Sequence, residues 1–84
     1  FKEVRVPAGT YKVGEDIPAG MYTVKVDGDQ IAGVYVFDNA GNYTLKIHNV
    51  EADSPIGKLE LEEGETVSIL YSGAIFMPYA GLGF

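Results

Sequence analysis

The side chains that could take part in catalysis are a single histidine, His48, a few serines and many carboxylates. A serine nucleophile or a metal site needs the imidazole beside a carboxylate or a second ligand. His48 alternates with Thr44 and Lys46, which places it on the water-facing side of a predicted strand. The sequence contains no nucleophile elbow, phosphate-binding loop or His-Glu-x-x-His motif. We therefore predict that the protein is not an enzyme and has no catalytic residue and no cofactor.

The carboxylates are abundant, but their spacing does not favour catalysis or metal binding. Four glutamates between residues 60 and 65 surround a predicted hairpin, where water would keep them ionised. A glycosidase instead needs two carboxyl groups opposed across a cleft, one of them desolvated. The loops Asp27-Gly28-Asp29 and 38–42 offer oxygen ligands, yet neither matches a twelve-residue calcium loop. The pattern predicts a solvated acidic surface and no metal site.

Aromatic rings are the remaining candidates for binding, because sugars pack their apolar C–H faces on exposed rings. The chain has six tyrosines, and most of them share a strand face with Val, Leu or Ile. Such tyrosines are expected in the core, with the hydroxyl reaching the rim. Tyr35 and Tyr79 do not fit that pattern as clearly, and we predict them as the ligand-contacting residues.

The elements that must position these side chains are short strands. Apolar and polar residues alternate with a period of two, which is typical of half-buried antiparallel strands, in segments 22–26, 43–48, 58–62 and 66–71. Residues 31–37 are apolar on both faces, which predicts a central strand. Asp27-Gly28 suits a tight hairpin turn, and residues 51–57 suit a loop that crosses between sheets. The sequence predicts an all-β domain over residues 1–84, either a small antiparallel β-sandwich or a jelly-roll-like barrel of about seven short strands.

A short repeat occupies the first third of the chain. Residues 6–13, Val-Pro-Ala-Gly-Thr-Tyr-Lys-Val, align with residues 17–24, Ile-Pro-Ala-Gly-Met-Tyr-Thr-Val, at an offset of eleven. In each copy proline fixes φ, and glycine supplies a backbone angle that other residues avoid, before a strand that begins through tyrosine. The repeat therefore predicts one turn used twice. Within the second copy we predict a structural motif, in which Asp16 accepts hydrogen bonds from downstream N–H groups, Ile17 points inward, and Pro18 and Gly20 set the bend.

Residues 9–24 resemble a known bacterial module. The string Gly-Thr-Tyr-Lys-Val-Gly-Glu-Asp-Ile-Pro-Ala-Gly-Met-Tyr is similar to the G-T-Y-x-V-G-x-D-I-P-A-G-x-Y modules of secreted proteins, lipoproteins and cell-surface proteins of Gram-positive bacteria, and residues 61–69 fit the L-x-x-G-x-x-V-x-I segment that follows in them. The resemblance implies a small β-rich domain, an extracellular or cell-surface location and a non-catalytic accessory role.

The net charge and the composition exclude several classes of binding partner. Six basic and twelve acidic residues give a net charge of −6, which argues against nucleic acid and against binding to anionic lipid. No apolar stretch is long enough for a membrane helix. The chain begins with Phe1 and has no signal segment, so we predict a piece processed or excised from a longer secreted or surface protein.

The tail, residues 76–84, is too apolar to remain in water, which predicts that it packs along the sheet and also contacts another copy or another protein. The leading functional hypothesis is an accessory module that acts as scaffold, spacer or protein-contact domain. The alternative is a module that binds carbohydrate or cell-wall polysaccharide.

Overall fold

The computed structural model of the protein describes residues 3–79, which form eight β-strands. The strands are β1 Val4–Val6, β2 Gly9–Lys12, β3 Gly20–Val26, β4 Ala32–Phe37, β5 Asn49–Val50, β6 Ile56–Leu61, β7 Thr66–Tyr71 and β8 Ala74–Pro78. Among these residues no helix has the length and apolar character needed to cross a membrane. The all-β prediction is confirmed, with one strand more than expected.

The strands build two four-stranded antiparallel sheets, which form a sandwich rather than a closed barrel. Sheet 1 has the order β1-β8-β3-β6, and sheet 2 has the order β2-β7-β4-β5. Within residues 3–79, every connection except that between β4 and β5 carries the chain from one sheet to the other. The loop at 51–57 is one of these crossings, as the sequence predicts.

The core lies between the sheets and is made largely by alternate residues of the strands. The alternating positions of β3, β6 and the first part of β7 are buried as predicted, including Val24, Leu59 and Val67 at 0–2% exposure. Loop residues also contribute to the core, since Val13 and Ile17 are each 1% exposed and form a parallel bridge. A core of this kind gives a small domain most of its stability.

The predicted strand at 43–48 is wrong. Thr44 donates its N–H to Val36 O (2.9 Å), but the next bond on this edge of β4 runs from Val34 N–H to His48 O (2.7 Å). A step of two residues along β4 is therefore matched by a step of four residues along the neighbouring segment. The extra residues make 45–47 bulge away from the sheet. Leu45 has φ +63° and is 65% exposed, whereas Ile47 is buried at 3%. The alternating pattern placed both side chains inside, which is correct for Ile47 only.

The predicted hairpin at Asp27-Gly28 is also wrong. β3 already has β8 and β6 on its two edges, so β4 has no edge of β3 to pair with and enters the other sheet. Asp27 instead holds the neighbouring strands together. Its N–H donates to Gly73 O (2.9 Å), and its carboxylate accepts from the Arg5 guanidinium at 2.9 Å.

The repeated turn of the first third is confirmed. The Tyr11 hydroxyl donates to Pro7 O and the Tyr22 hydroxyl donates to Pro18 O, both at 2.6 Å. Gly9 and Gly20 share a φ of +156°. The first copy leads into β2 of sheet 2 and the second into β3 of sheet 1. The same turn therefore precedes a strand on each side of the core.

The two copies of the turn differ in burial, which permits a matched comparison. Tyr22 is 1% exposed and packs edge-on against Phe76, and burial raises the pKa of its hydroxyl, whereas Tyr11 is only half-buried. We expect Tyr22→Phe to lower the free energy of unfolding by about 1–2 kcal/mol, because it removes the donor to Pro18 O beside the core. Tyr11→Phe should cost less than about 1 kcal/mol. Urea unfolding of both variants checks this, and equal losses would show that burial does not decide the cost.

Candidate functional site

Most of the exposed apolar surface lies on sheet 2. Large apolar side chains with high exposure within residues 3–79 are Ile31 (39%), Leu45 (65%), Leu70 (42%), Tyr71 (77%) and Tyr79 (36%). The first four lie in β7, just before β4 or in the bulge beside β4, and only Tyr79 follows a strand of sheet 1. An exposed apolar surface of this kind commonly marks a binding site.

The centre of this surface lies across β4 and β7. Leu70 pairs with Gly33 and Ser68 pairs with Tyr35, so these four residues share the outer face of the sheet. The ring of Tyr71 joins them. We name this surface the tyrosine face and define it by Gly33, Tyr35, Ser68, Leu70 and Tyr71.

Tyr71 reaches the tyrosine face because its backbone departs from the strand conformation. In β7, Val67 and Ile69 face the core at 0% exposure, and simple alternation would send Tyr71 inward after them. Tyr71 instead has φ +75°, a conformation that bulky residues rarely adopt, and is 77% exposed. Strain of this kind costs free energy and is concentrated at functional sites. The prediction that Tyr71 belongs to the core face is therefore wrong.

Gly33 is the point at which two tyrosine rings meet. A Cβ atom at this position would lie 3.0 Å from Cε2 of Tyr35 and 3.3 Å from Cε2 of Tyr71. Both rings therefore lie close over the glycine, which is itself buried. A larger residue at position 33 would displace both rings, so the glycine allows Tyr35 and Tyr71 to lie close to the sheet at this point.

A second group of rings supports Tyr35 from the side. The ring centroid of Tyr43 lies 5.8 Å from that of Tyr35 and 5.7 Å from that of Phe37, with interplanar angles of 63° and 44°. Tyr43 is fixed by its hydroxyl, which donates to Ile47 O at 2.8 Å and lies 3.0 Å from Nδ1 of His48. The Tyr43 ring is not coplanar with either neighbour. His48 is exposed, as predicted.

The tyrosine face also differs from its surroundings in charge. The four strands of sheet 2 contain one charged residue, Lys12, whereas those of sheet 1 contain Arg5, Lys25, Lys58 and Glu60. Two neutral polar side chains lie beside Tyr35. Asn49 Oδ1 lies 3.4 Å from the Tyr35 hydroxyl, and Ser68 stands beside Tyr35 on the neighbouring strand. The face is thus aromatic, neutral and able to form hydrogen bonds.

The two predicted ligand residues do not form one site. Tyr35 lies on the outer face of sheet 2, whereas Tyr79 follows β8 in sheet 1, where its N–H donates to Met21 O and Lys58 Nζ lies 5.7 Å from its ring centroid. Near it, Met21, Lys46, Lys58, Leu59 and Glu60 line an open groove of about 340 Å³. The predicted apolar tail contributes Phe76 to the core at 0% exposure, and its last five residues lie outside the described part of the chain.

The Asp16 motif closes the turn between β2 and β3. The Asp16 carboxylate accepts from the N–H of Lys12 at 2.9 Å, so its donor lies four residues upstream and the expected downstream direction is wrong. Lys12 O in turn accepts from the N–H groups of Glu15, Asp16 and Ile17 at 2.8–3.3 Å. Ile17 is buried, and Pro18 and Gly20 are exposed. In this geometry the carboxylate is engaged by the backbone.

The acidic groups do not converge on a metal site. Within residues 3–79 no three His, Cys, Asp or Glu side chains are grouped closely enough to hold a metal ion. Asp29, Glu51 and Asp53 border an open depression of about 460 Å³ together with Gln30, Ile31 and Ala52. In the other loop considered for calcium, the Asp38 carboxylate accepts from the N–H groups of Ala40 and Asn42, each at 2.9 Å.

The Asp38 carboxylate should make the stability of the fold depend on pH. The backbone N–H of Asn42, with those of Ala40 and Gly41, holds the pKa of the Asp38 carboxyl below 3.8. Because the pKa is lower in the folded state, the charged carboxylate stabilises the fold above the unfolded-state pKa of about 4, and this contribution is lost as the pH falls through the folded value. A carboxyl ¹³C NMR titration should place Asp38 below 3.8, and Asp38→Asn should flatten the decline of Tm below pH ~4. A titration midpoint at or above the ordinary range of an aspartate would contradict the assignment.

Lys46 and Glu65 form an ion pair that the sequence does not predict. Glu65 was expected in the solvated acidic surface, but it is 6% exposed. Lys46 Nζ donates to both carboxylate oxygens of Glu65, at 2.9 and 2.8 Å, and also to the backbone carbonyl of Glu60 at 2.9 Å. The N–H of Glu62 donates to Glu65 Oε1 at 2.7 Å. The pair joins the bulge of sheet 2 to β6 of sheet 1, and the segment 62–65 links two sheets rather than forming a hairpin.

Comparison of the chain with protein-family models, with curated proteins and with solved structures found no match.

Proposed function

We propose that this protein is a non-catalytic accessory module of a bacterial secreted or cell-surface protein, and that it makes contact with its target through the tyrosine face. The observation that carries the proposal is the exposed ring of Tyr71, which is held at φ +75° on the outer face of sheet 2 instead of in the core. Strained backbone of this kind clusters at functional sites, which supports a binding role for the exposed ring.

The arrangement of the polar groups supports a binding role over a catalytic one. The Asp38 and Asp16 carboxylates accept backbone hydrogen bonds, and Glu65 is paired with Lys46. His48 has the Tyr43 hydroxyl beside Nδ1. Each of these groups has a structural partner, which accounts for its presence without a reaction. The extracellular location and the accessory role rest on the resemblance of residues 9–24.

The proposal is tested by mapping a binding surface on the ¹⁵N-labelled domain with a soluble digest of Gram-positive cell walls. We expect amide shift changes in β4 and β7, at Gly33, Tyr35, Leu70 and Tyr71, with no change in the composition of the digest. The matched variant Leu70→Ser removes an exposed side chain from the same face and should weaken the shifts. Shift changes confined to sheet 1, changes nowhere, or the release of new products would each overturn the proposal.

A further inference from the structure

We infer that the tyrosine face binds a neutral polysaccharide chain, with Tyr71 and Tyr35 as the rings on which sugar residues stack. This inference rests on the proposed function and names the class of ligand. It follows from three properties of the face: its size, its lack of charge and the arrangement of its rings over Gly33.

The size of the face suits a narrow polymer. β4 and β7 have six residues each, so the strip that they share is about 20 Å long and about 10 Å wide. The projected area of this strip is roughly 200 Å², which suits a narrow ligand. A polysaccharide is one sugar ring wide, so a strip of this shape can hold several consecutive sugars of one chain.

The chemistry of the face matches an uncharged sugar. The apolar C–H side of a pyranose ring packs on an aromatic ring, and tyrosine provides a large contact area while losing little conformational entropy. The rings of Tyr35 and Tyr71 both adjoin Gly33, so successive sugars can lie along the strip without a side chain between them. Asn49 and Ser68 supply neutral hydrogen-bonding groups for the hydroxyls at its border.

The lack of charge distinguishes this ligand from an anionic one. Within β4, β5 and β7 there is no lysine or arginine to pair with a carboxylate or phosphate, and the protein carries a net charge of −6. An anionic polymer would be repelled by the protein as a whole. A neutral chain has no such cost.

The test is affinity electrophoresis of the domain in native gels that contain a soluble polysaccharide. The neutral probes are hydroxyethylcellulose, galactomannan and soluble starch, and carboxymethylcellulose is the anionic counterpart of the first. We expect at least one neutral polymer to retard the wild-type protein, with no retardation by carboxymethylcellulose. Tyr71→Gly should lower the affinity about tenfold. This variant should fold, because glycine adopts positive φ without strain.

The control variant is Tyr79→Ala, which removes a half-exposed ring on the other sheet and should leave retardation unchanged. Retardation by none of the neutral polymers would overturn the inference, as would retardation that Tyr71→Gly does not alter or that is stronger with carboxymethylcellulose. If wall digests still shift β4 and β7 while no neutral polymer retards the protein, the ligand is a protein or a charged polymer, and the proposed function stands without this inference.

Discussion

Replacing Lys46 with methionine is expected to lower the free energy of unfolding by about 2–4 kcal/mol. Removing one partner of a buried ion pair leaves the other charge in a poorly hydrated site, which costs far more than the pair itself contributes. Here the Glu65 side chain is 8% exposed and the Lys46 side chain is 23% exposed. Lys46→Met would remove the cation beside the Glu65 carboxylate and leave it the hydrogen bond from the N–H of Glu62.

The cost is large because Lys46 joins elements of both sheets. Its ammonium group lies on the bulge of sheet 2 and binds the segment 62–65 and the carbonyl of Glu60 on β6. Loss of these bonds should loosen the bulge and the end of the sandwich together. The measurement is urea unfolding of Lys46→Met beside Lys25→Met, which removes an exposed lysine and should change stability by less than about 0.5 kcal/mol. Equal effects of the two substitutions would show that the ion pair does not stabilise the fold.

Replacing both partners of the ion pair separates the effect of charge on stability from the effect of packing. If Lys46 and Glu65 are both replaced by methionine, no unpaired charge remains, and the loss should be smaller than that of Lys46→Met alone. The difference between the double variant and the sum of the single ones measures the coupling of the pair.

Ile17→Ala is expected to cost about 2–5 kcal/mol, because it leaves a cavity in the core. Ile17 lies in a loop but is 1% exposed, and its carbonyl accepts from the N–H of Gly14 at 2.7 Å, so the backbone holds the side chain in place. Such a site relaxes little when atoms are removed. For a domain whose total stability lies near the low end of the ordinary 5–15 kcal/mol, the variant should be partly unfolded at physiological temperature.

Thermal unfolding followed by circular dichroism tests this prediction. Ile31→Ala is the matched control, since the same atoms are removed from a side chain that is 39% exposed, and its cost should be below about 1 kcal/mol. Ile17→Val, which removes a single methylene, should fall between them at about 0.5–1.5 kcal/mol. A cost for Ile17→Ala similar to that of Ile31→Ala would contradict the assignment of Ile17 to the core.

Local patterns in this sequence are reliable where one face of a regular strand is buried. The alternation through Tyr22, Val24 and Val26 correctly identifies β3, and the proline-glycine repeat correctly identifies two equal turns. The same reasoning fails at Leu45 and Tyr71, because a positive φ reverses the direction of the side chain and period-two alternation assumes extended backbone. Neither residue is a glycine or asparagine, so residue type does not signal the reversal.

Local patterns also do not show which sheet each strand joins or which distant residues come into contact. Asp27-Gly28 has the residues of a tight turn whether the chain doubles back or crosses to the other sheet, and only the occupancy of the edges of β3 decides between them. Glu65 looks like its exposed neighbours, and its burial depends on Lys46, nineteen residues earlier. The tyrosine face, however, leaves a trace in the sequence, because segments 31–37 and 66–72 contain no charged residue.

The pairing of β1 with β8 has a mechanical consequence. Val4 faces Phe76 and Val6 faces Ala74, so the start of the first strand and the finish of the last lie at the same end of an antiparallel ladder. A pulling force applied at these two points acts along the hydrogen bonds, which run perpendicular to the strands, and breaks them one after another instead of all at once. The β1–β8 pairing is therefore expected to open at low force when the domain is stretched from these two points.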